Sequence, residues 1–295
     1  MSNSFTSKIL RFTLTIVDGG SLTNQAQVQV IQGLRASATV QKAGKPPVKN
    51  TCRVKIYGMS EELMNLCTVV PALSGKTLYP AHKKVYLLVE GGDFFGLSRI
   101  FVGEITEAYA SYQSPPNMCF HIDAATGHYP HLATALPRGY AGPTAVEQIV
   151  SDIASAIGYS FQNNGFHATI SNPYLTGSAM EQLRQLHAAV PMEMQVDDLG
   201  IYIAPKGTPR IQAGQVPFIS PSTGLVEYPI FDKHGLRFST LYNPGIVYGG
   251  QVYVQSSIVA ATGYWKVEKL EHELESNNPS GKWLSRVHAS FLKGQ

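Results

Sequence analysis

Residues 50–59, with the sequence NTCRVKIYGM, decide the fold of this chain. Apolar residues alternate there with polar ones, Cys52, Val54 and Ile56 against Arg53, Lys55 and Tyr57. Alternation with a period of two predicts a β-strand that buries one face. A short helix is predicted directly after this strand, because Ser60 can cap it and Glu61 and Glu62 suit its positive first turn.

The same alternation recurs on both sides of this strand. Candidate strands cover residues 10–16, 26–30, 34–41, 84–90, 99–112 and 118–124. Turn-forming pairs separate several of them, namely Gly19–Gly20, Gly91–Gly92 and Pro115–Pro116. Short strands divided by Gly and Pro pairs predict an all-β unit over residues 1–125, in which the helix after residue 59 is the one interruption.

A small α/β module follows a linker. Residues 126–140 are rich in Gly and Pro and are interpreted as the linker. Within residues 141–210, two capping boxes predict helix starts, Thr144 with Glu147 and Ser178 with Glu181. Gly158 suits the end of the first helix. A hairpin is predicted over residues 192–203, with its turn at 197–200.

Residues 211–295 return to the β pattern. Gly249–Gly250, flanked by apolar alternation, predicts a short hairpin. The polar run 277–281 predicts a second turn, between a strand through Val267 and Leu270 and a strand that alternates to the end of the chain. The sequence therefore predicts a mainly β fold with an α+β insertion.

Composition and charge exclude several classes of protein. The chain has 295 residues and a net charge of +3, which is too small to be typical of a nucleic-acid-binding or polybasic membrane protein. Only 15% of residues are charged, which favours association with other proteins. Three cysteines without a metal-binding spacing favour a reducing compartment. No apolar run is long enough to predict a membrane-spanning segment.

One polar cluster could hold a metal ion. Its members are His121, Asp123, His128 and His131, and His with Asp suits zinc or manganese. The alternative is that these residues lie on the solvent face of a strand and its exit loop, because no HExxH motif and no Cys ligand accompany them. A metal-dependent hydrolase that uses this cluster stays open as an alternative function.

No catalytic motif is present. The chain has no G-x-S-x-G sequence, and Gly91-Gly92-x-x-x-Gly96 lacks the Lys-Ser/Thr pair of a phosphate-binding loop. Asp197–Asp198 could serve as paired carboxylates, but two Asp residues shortly before Gly200 are typical of a turn. A nucleophile–His–acid arrangement stays open, because the chain has nine His residues and many Ser residues.

Basic residues are concentrated near the N-terminus, where residues 1–55 contain a single acid, Asp18. A basic surface can bind nucleic acid or the acidic surface of another subunit, or it can be a solvated strand face. Tyr residues are common at protein interfaces. The candidates for subunit or partner contact are Lys8, Arg11, Arg35, Arg53, Lys55, Tyr248 and Tyr253.

Several segments, taken in order, carry a resemblance. They are residues 50–59 with the following helix, RIFVGEITE at 99–107, the Pro115–Pro116–Asn117 loop, STGLV at 222–226, LYNPG at 241–245 and the closing pair around GKW at 281–283. In this order they resemble the baseplate hub proteins of contractile phage tails, a late-control-D-like family related to the hub domains of injection systems.

The resemblance implies two β-barrel-like tube domains, residues 1–125 and 211–295, that flank the α/β module at 141–210. It implies a homotrimer whose two barrels per subunit make a pseudo-sixfold ring between the tail tube and the central spike. The implied partners are the tail tube protein, the central spike protein, baseplate wedge proteins and, as a further candidate, the tape measure protein. DNA would only pass through the lumen. The resemblance thus implies a structural protein that is not an enzyme, with no catalytic residue and no cofactor. The protein would be made in the bacterial cytoplasm and would reside in the virion.

Overall fold

The computed structural model describes residues 6–18, 26–43, 49–69, 83–112, 118–212, 214–233 and 235–292. The turns predicted at Gly19–Gly20 and Pro115–Pro116 lie outside these residues. The described chain is mainly β, as the alternating pattern predicts.

The described residues form twenty strands, four α-helices and one 3₁₀ turn at Val259–Ala261. The helices are α1 Glu61–Cys67, α2 His128–Leu132, α3 Val146–Ala156 and α4 Ala179–Ala189. The strands are β1 Ile9–Asp18, β2 Ala26–Gln32, β3 Ala36–Ala43, β4 Thr51–Tyr57, β5 Lys83–Asp93, β6 Gly96–Ser111, β7 Cys119–Ala125, β8 Arg138–Gly139, β9 Pro143–Ala145, β10 Ser160–Asn163, β11 Thr169–Ser171, β12 Tyr174–Leu175, β13 Met192–Asp197, β14 Gly200–Pro205, β15 Phe218–Ile219, β16 Ile230–Asp232, β17 Gly235–Leu241, β18 Gln251–Val254, β19 Gly263–Ser276 and β20 Trp283–Phe291.

The chain folds into two compact units, each made of three segments. Unit 1 comprises Met1–Gln41, Thr51–Thr126 and Glu271–Ser285. Unit 2 comprises Lys42–Asn50, Gly127–Leu270 and Arg286–Gln295. Strands β3, β19 and β20 therefore contribute residues to both units.

Unit 1 is built on a sheet in the order β20–β19–β3–β4–β7–β6–β5–β1–β2. Neighbours from β3 to β2 are antiparallel. The predicted strand at the centre of the opening sequence is confirmed as β4, and its apolar residues Cys52, Val54 and Ile56 are buried. Among the described strands this path is open, with β2 at one edge, and no closed barrel is formed.

Unit 2 combines a mixed sheet with a small α/β part. The sheet contains β16, β17, β20, β19, β18 and β15, with β16 at one end. The α/β part has the three-stranded sheet β10–β14–β13, and helices α3 and α4 pack against it. The predicted hairpin is confirmed as β13 and β14, and its turn residues Asp198 and Leu199 have positive φ angles of 47° and 61°.

The two predicted capping boxes have different outcomes. Ser178 caps α4 as predicted, because its side chain accepts a hydrogen bond from Glu181 N. The prediction for Thr144 is wrong: α3 starts at Val146, and its N-cap Ala145 offers no side-chain hydrogen bond. Thr144 instead lies in β9 opposite Ile170, so its backbone is committed to a strand ladder.

The prediction that Gly158 ends helix α3 is confirmed. Gly158 follows the helix with φ +73°, and its N–H donates to Ser155 O. The next N–H, from Tyr159, donates to Ala154 O. This pair of bonds is the arrangement in which a glycine ends a helix and satisfies its last carbonyl groups.

The hairpin predicted at Gly249–Gly250 does not form. Strand β18 pairs with β19 instead, and Gly249 N–H donates to Val267 O while Gly250 O accepts from Val267 N–H. A side chain at Gly249 would lie within 2.1 Å of the Gln195 amide, and its φ is +76°. Gly249 lies instead in a local turn before β18, in which Gly250 N–H donates to Val247 O, and the positive φ of this turn favours glycine.

Candidate functional site

The structure gathers three of the predicted contact residues, Arg35, Arg53 and Lys55, on one exposed strand face. Lys55 lies opposite Ser37, and Arg53 lies opposite Thr39, across the β3–β4 ladder. Tyr57 N–H donates to Arg35 O at 2.9 Å, which extends the β3–β4 pairing by one residue to Arg35. The alternation that defines the strand thus places its cations on the solvent side. We call these three residues the basic face.

Two of the three cations line a cavity of about 180 Å³ in unit 1. The guanidinium carbon of Arg35 lies 4.7 Å from the centre of the Tyr57 ring, which holds the cation over the aromatic face. The cavity is lined by Arg35, Ala36, Ser37, Lys55, Tyr57, Glu275 and Asn278.

The turn after β19 fixes the opposite wall of this cavity. Asn277 Nδ2 donates to Leu34 O at 3.0 Å, next to Arg35. Asn278 Nδ2 donates to Glu275 Oε2 at 2.6 Å, and Gly281 N–H donates to Asn278 O at 3.0 Å. Because hydrogen bonds hold both walls, the cavity is formed before any ligand arrives.

The charges in the cavity are unbalanced. Within the part of the chain that the structure describes, no carboxylate lies within 4.0 Å of the side-chain nitrogens of Arg35 or Lys55. Arg53 differs, since its Nε lies 3.6 Å from Asp123 Oδ1 in an exposed pair. Glu275 is the one acid in the lining, and Asn278 occupies one of its oxygens.

The other two predicted basic residues lie near β1 and have acidic partners. Arg11 makes two hydrogen bonds to Glu90, at 2.7 and 2.8 Å, and these bonds raise the pKa of the Arg11 guanidinium. The positive charge of Lys8 contributes to lowering the pKa of Asp93, which is set first by a hydrogen bond from Thr6.

The four residues of the predicted metal cluster are divided between the units. His121 and Asp123 lie on β7 in unit 1, whereas His128 and His131 lie in α2 in unit 2. His121 stacks on Tyr109, with ring centres 5.1 Å apart. Burial lowers the pKa of His121, and the charge of Lys55 adds to this effect. Across the described ranges, no group of three or more His, Cys, Asp or Glu side chains could hold a metal ion.

The two predicted tyrosines have different environments. Tyr248 is buried, and this burial raises its pKa far above the usual range. Tyr253 is half-buried between Phe218, which stacks on it with ring centres 5.7 Å apart, and Tyr264, which meets it edge to face. Tyr253 is thus part of a partly exposed aromatic surface, and Tyr248 is part of the interior.

Sequence reasoning missed an ionic interface inside unit 2. Along β13, Met192 and Met194 face the helices, and the alternate residues Glu193, Gln195 and Asp197 face the rest of the unit. All five are buried. The sequence signal is the alternation of polar and apolar residues along β13. When such a strand is buried on both faces, another part of the protein must cover its polar side.

Asp197 is the centre of this interface. Its carboxylate lies 2.8 Å from Lys42 Nζ and 3.1 Å from Arg210 Nη1, and Asn50 Nδ2 donates to it at 3.0 Å. Asp198, in the turn, lies 3.1 Å from the same Lys42. Burial alone would raise the pKa of Asp197, but the charges and hydrogen bonds of Lys42 and Arg210 outweigh burial and lower it.

Glu193 anchors the other end of the strand. Its Oε1 lies 3.6 Å from Nζ of Lys266, a lysine that is only 1% exposed. The Lys266 Nζ also lies 3.2 Å from Glu268 Oε1. Paired charges at both ends of β13 fix the position of the α/β part within unit 2.

The described residues include two nucleophile–base contacts, a half-buried one between Cys119 Sγ and His121 Nε2 at 3.1 Å and a buried Ser–His pair. His272 Nδ1 lies 2.8 Å from Ser285 Oγ, but the two residues are 4% and 0% exposed. A nucleophile that substrate cannot reach does not support covalent catalysis. The exposed, charged and preformed features of the described chain are suited to binding another macromolecule. No helix of the described residues is long and apolar enough to cross a membrane.

The sequence model of the baseplate hub gp41 family matches residues 9–280. No curated protein sequence matches the chain.

Three solved structures share the fold. The 43 kDa tail protein of prophage MuSo2 from Shewanella oneidensis has a TM-score of 0.58 at 9% identity, over 94% of this chain and 98% of that chain. A tail protein from Neisseria meningitidis MC58 has a TM-score of 0.56 at 9% identity, over 95% and 96%. A type VI secretion component from E. coli, described as similar to the T4 tail proteins gp27 and gp5, has a TM-score of 0.57 at 8% identity, over 87% and 73%.

Proposed function

The chain belongs to the baseplate hub gp41 family, and from this membership we propose that it forms a trimeric, pseudo-sixfold ring that joins the tail tube of a contractile phage to the central spike. The match of the family model to residues 9–280 is the observation that carries the proposal. The protein acts by binding, without catalysis or cofactor. Its place is the baseplate of the virion.

Two compact units per chain suit a ring of this symmetry. Three copies supply six units, which can face a sixfold tube on one side and a threefold spike on the other. We propose that each β part adopts a barrel-like form within the ring, so that neighbouring copies complete what the open strand path of one chain lacks. We also propose that residues 1–125 and 211–295 are the two barrel-like domains, and that the linker 126–140 and the α/β module 141–210 lie between them in the sequence.

Edge strands give the ring a means of closure. Strand β2 ends the described sheet of unit 1, and its Val28 and Val30 are 55% and 60% exposed. Strand β16 ends the sheet of unit 2, and Ile230 there is 58% exposed. Exposed apolar edge strands invite pairing with another chain. We propose that β2 of one copy pairs antiparallel with β16 of the next.

Such a contact is head-to-tail, because different surfaces of the two copies meet. A head-to-tail contact generates a ring when its rotation closes. The low charged fraction of the chain, 15%, fits a surface that neighbours cover. The tube protein, the spike protein, wedge proteins and the tape measure protein are the partners that we propose for the remaining surfaces, with DNA passing through the lumen.

The experiment is to determine the mass and symmetry of the purified chain. We expect native mass spectrometry to show a trimer of the 32.1 kDa chain whose share grows with concentration. Electron microscopy of the same sample should show rings with threefold symmetry and six peripheral densities. A chain that stays monomeric over the whole accessible concentration range, alone and with tube and spike proteins, would contradict the proposal.

A further inference from the structure

The cavity of unit 1 has the chemistry of an acceptor for a single acidic side chain. Its lining includes two cations without a carboxylate partner in the described chain, together with the polar residues Ser37, Tyr57 and Asn278. Its volume of about 180 Å³ is below the roughly 300–1,000 Å³ of sites for small-molecule ligands. A side chain fits this space, whereas a nucleotide or an organic cofactor is too large.

The arrangement also favours a carboxylate over a nucleic-acid backbone. Glu275 lies in the lining and repels a chain of phosphates, and the third cation of the basic face, Arg53, is already paired with Asp123. Nucleic-acid affinity depends on several cations that each neutralise a phosphate. Arg35 and Lys55 together with Glu275 leave one positive charge in the cavity. One carboxylate neutralises this charge, whereas a polyanion needs several cations.

The chain carries a carboxylate that suits this site. Glu227 is exposed, and among the described residues its hydrogen bond is with Ser239, whose Oγ donates to Oε2 at 3.1 Å. No described cation pairs with it. Tyr228, 71% exposed, follows it, and the edge strand β16 begins at Ile230.

The proposed strand pairing would bring this acid to the cavity. An antiparallel β2–β16 pair sets the start of β16 against the end of β2 at Gln32. Arg35 follows Gln32 by three residues, a reach of at most roughly 10–11 Å. In such a pair, the residues that precede β16 in one copy would extend past Gln32 towards Arg35 of the other.

We propose that Glu227 of one copy inserts its carboxylate into the cavity of the next copy, between Arg35 and Lys55. This inference rests on the proposed ring and names the contact that fixes its register. The acid supplies the missing negative charge, and Glu275 remains free to accept a backbone N–H of the incoming segment through its second oxygen.

The test is a charge-reversal cycle on self-association, measured by sedimentation over a concentration series. Lys55→Glu and Glu227→Lys should each weaken trimer formation by about tenfold or more, because each leaves like charges facing. The double variant Lys55→Glu/Glu227→Lys should recover most of the loss. Lys206→Glu, which reverses an exposed cation elsewhere, and Glu61→Lys, which reverses an exposed acid on α1, should have little effect.

The outcomes separate this inference from the proposed function. A wild-type trimer whose stability the cavity variants leave unchanged, or a double variant without recovery, overturns the inference and leaves the ring intact. A wild type that never associates contradicts both. Binding of duplex DNA that Lys55→Glu abolishes, with self-association unchanged, would assign the cavity to nucleic acid instead. Circular dichroism of each variant confirms that it is folded.

Discussion

The buried carboxylate of Asp197 is central to the stability of unit 2. Removing the partner of a buried charge leaves that charge uncompensated, which is far more costly than losing an exposed pair. Lys42 and Asn50 join this carboxylate to the distant segment Lys42–Asn50, and Arg210 joins it to the chain that follows β14. A stability effect at Asp197 therefore reports the joining of these segments.

We predict that Asp197→Asn lowers the free energy of unfolding of unit 2 by about 3–5 kcal/mol at pH 7. Urea unfolding can follow this unit through Trp265 in a Trp283→Phe background, because Trp265 belongs to unit 2 and Trp283 to unit 1. Asp232→Asn is the control, since Asp232 and its partner Arg237 form a more exposed pair. A loss below about 1 kcal/mol at Asp197 would contradict the role assigned to it.

The same carboxylate predicts an acid sensitivity. Its pKa is lower in the folded chain than in the unfolded one, so the unfolded chain binds the proton first as the pH falls. Its stabilisation is complete above the ordinary Asp pKa of about 3.9 and is lost as the pH falls through the lower folded-state value. The wild type should lose stability below about pH 4 more steeply than Asp197→Asn does. Equal slopes would show that another group controls acid unfolding.

At the scale of elements, the sequence predicts where strands and helices are more reliably than what they contact. Strand β4 and the β13–β14 hairpin follow from local alternation and turn residues, which act within a few positions. The hairpin predicted at Gly249–Gly250 fails because β18 pairs with the following strand β19 and not with the residues before the glycine turn. Local alternation does not decide between these two partners. The cavity is likewise not predictable from local pattern, since Arg35 and Glu275 meet through tertiary structure.

The two capping boxes allow a direct test of this distinction. Ser178→Ala should increase amide exchange in the first turn of α4 by about fivefold, because the loss of an N-cap costs about 1 kcal/mol. Thr144→Ala should leave the first turn of α3 unchanged, since Thr144 makes no cap there. Hydrogen exchange with mass spectrometry measures both turns in the full chain. Equal effects at the two sites would restore Thr144 as a helix cap.

For the whole molecule, the exposed edge strands are the feature with the largest consequence. Charged residues, and lysine above all, are the means by which natural edge strands avoid pairing. Strand β2 instead presents Val28 and Val30 to solvent. An edge of this kind is consistent with a strand that is covered by a neighbour in the assembled state.

We predict that Val28→Lys/Val30→Lys leaves the fold of the monomer unchanged and strongly reduces trimer formation. The fold survives because both side chains are exposed in the single chain. Val259→Lys, at a position 84% exposed in the 3₁₀ turn, is the matched control and should assemble normally. Light scattering after size-exclusion chromatography distinguishes the species. Normal assembly of the β2 variant would exclude this edge from the ring contact.

The interleaved segments of the two units determine when the protein can fold during its synthesis. Unit 2 needs both Lys42–Asn50 and Arg286–Gln295, and unit 1 needs Glu271–Ser285. At roughly 5–20 residues per second, a ribosome takes roughly 12–50 s to proceed from residue 42 to residue 286. Neither unit can be completed on a nascent chain before that time, so incomplete chains on a polysome cannot present the finished surface of either unit to one another.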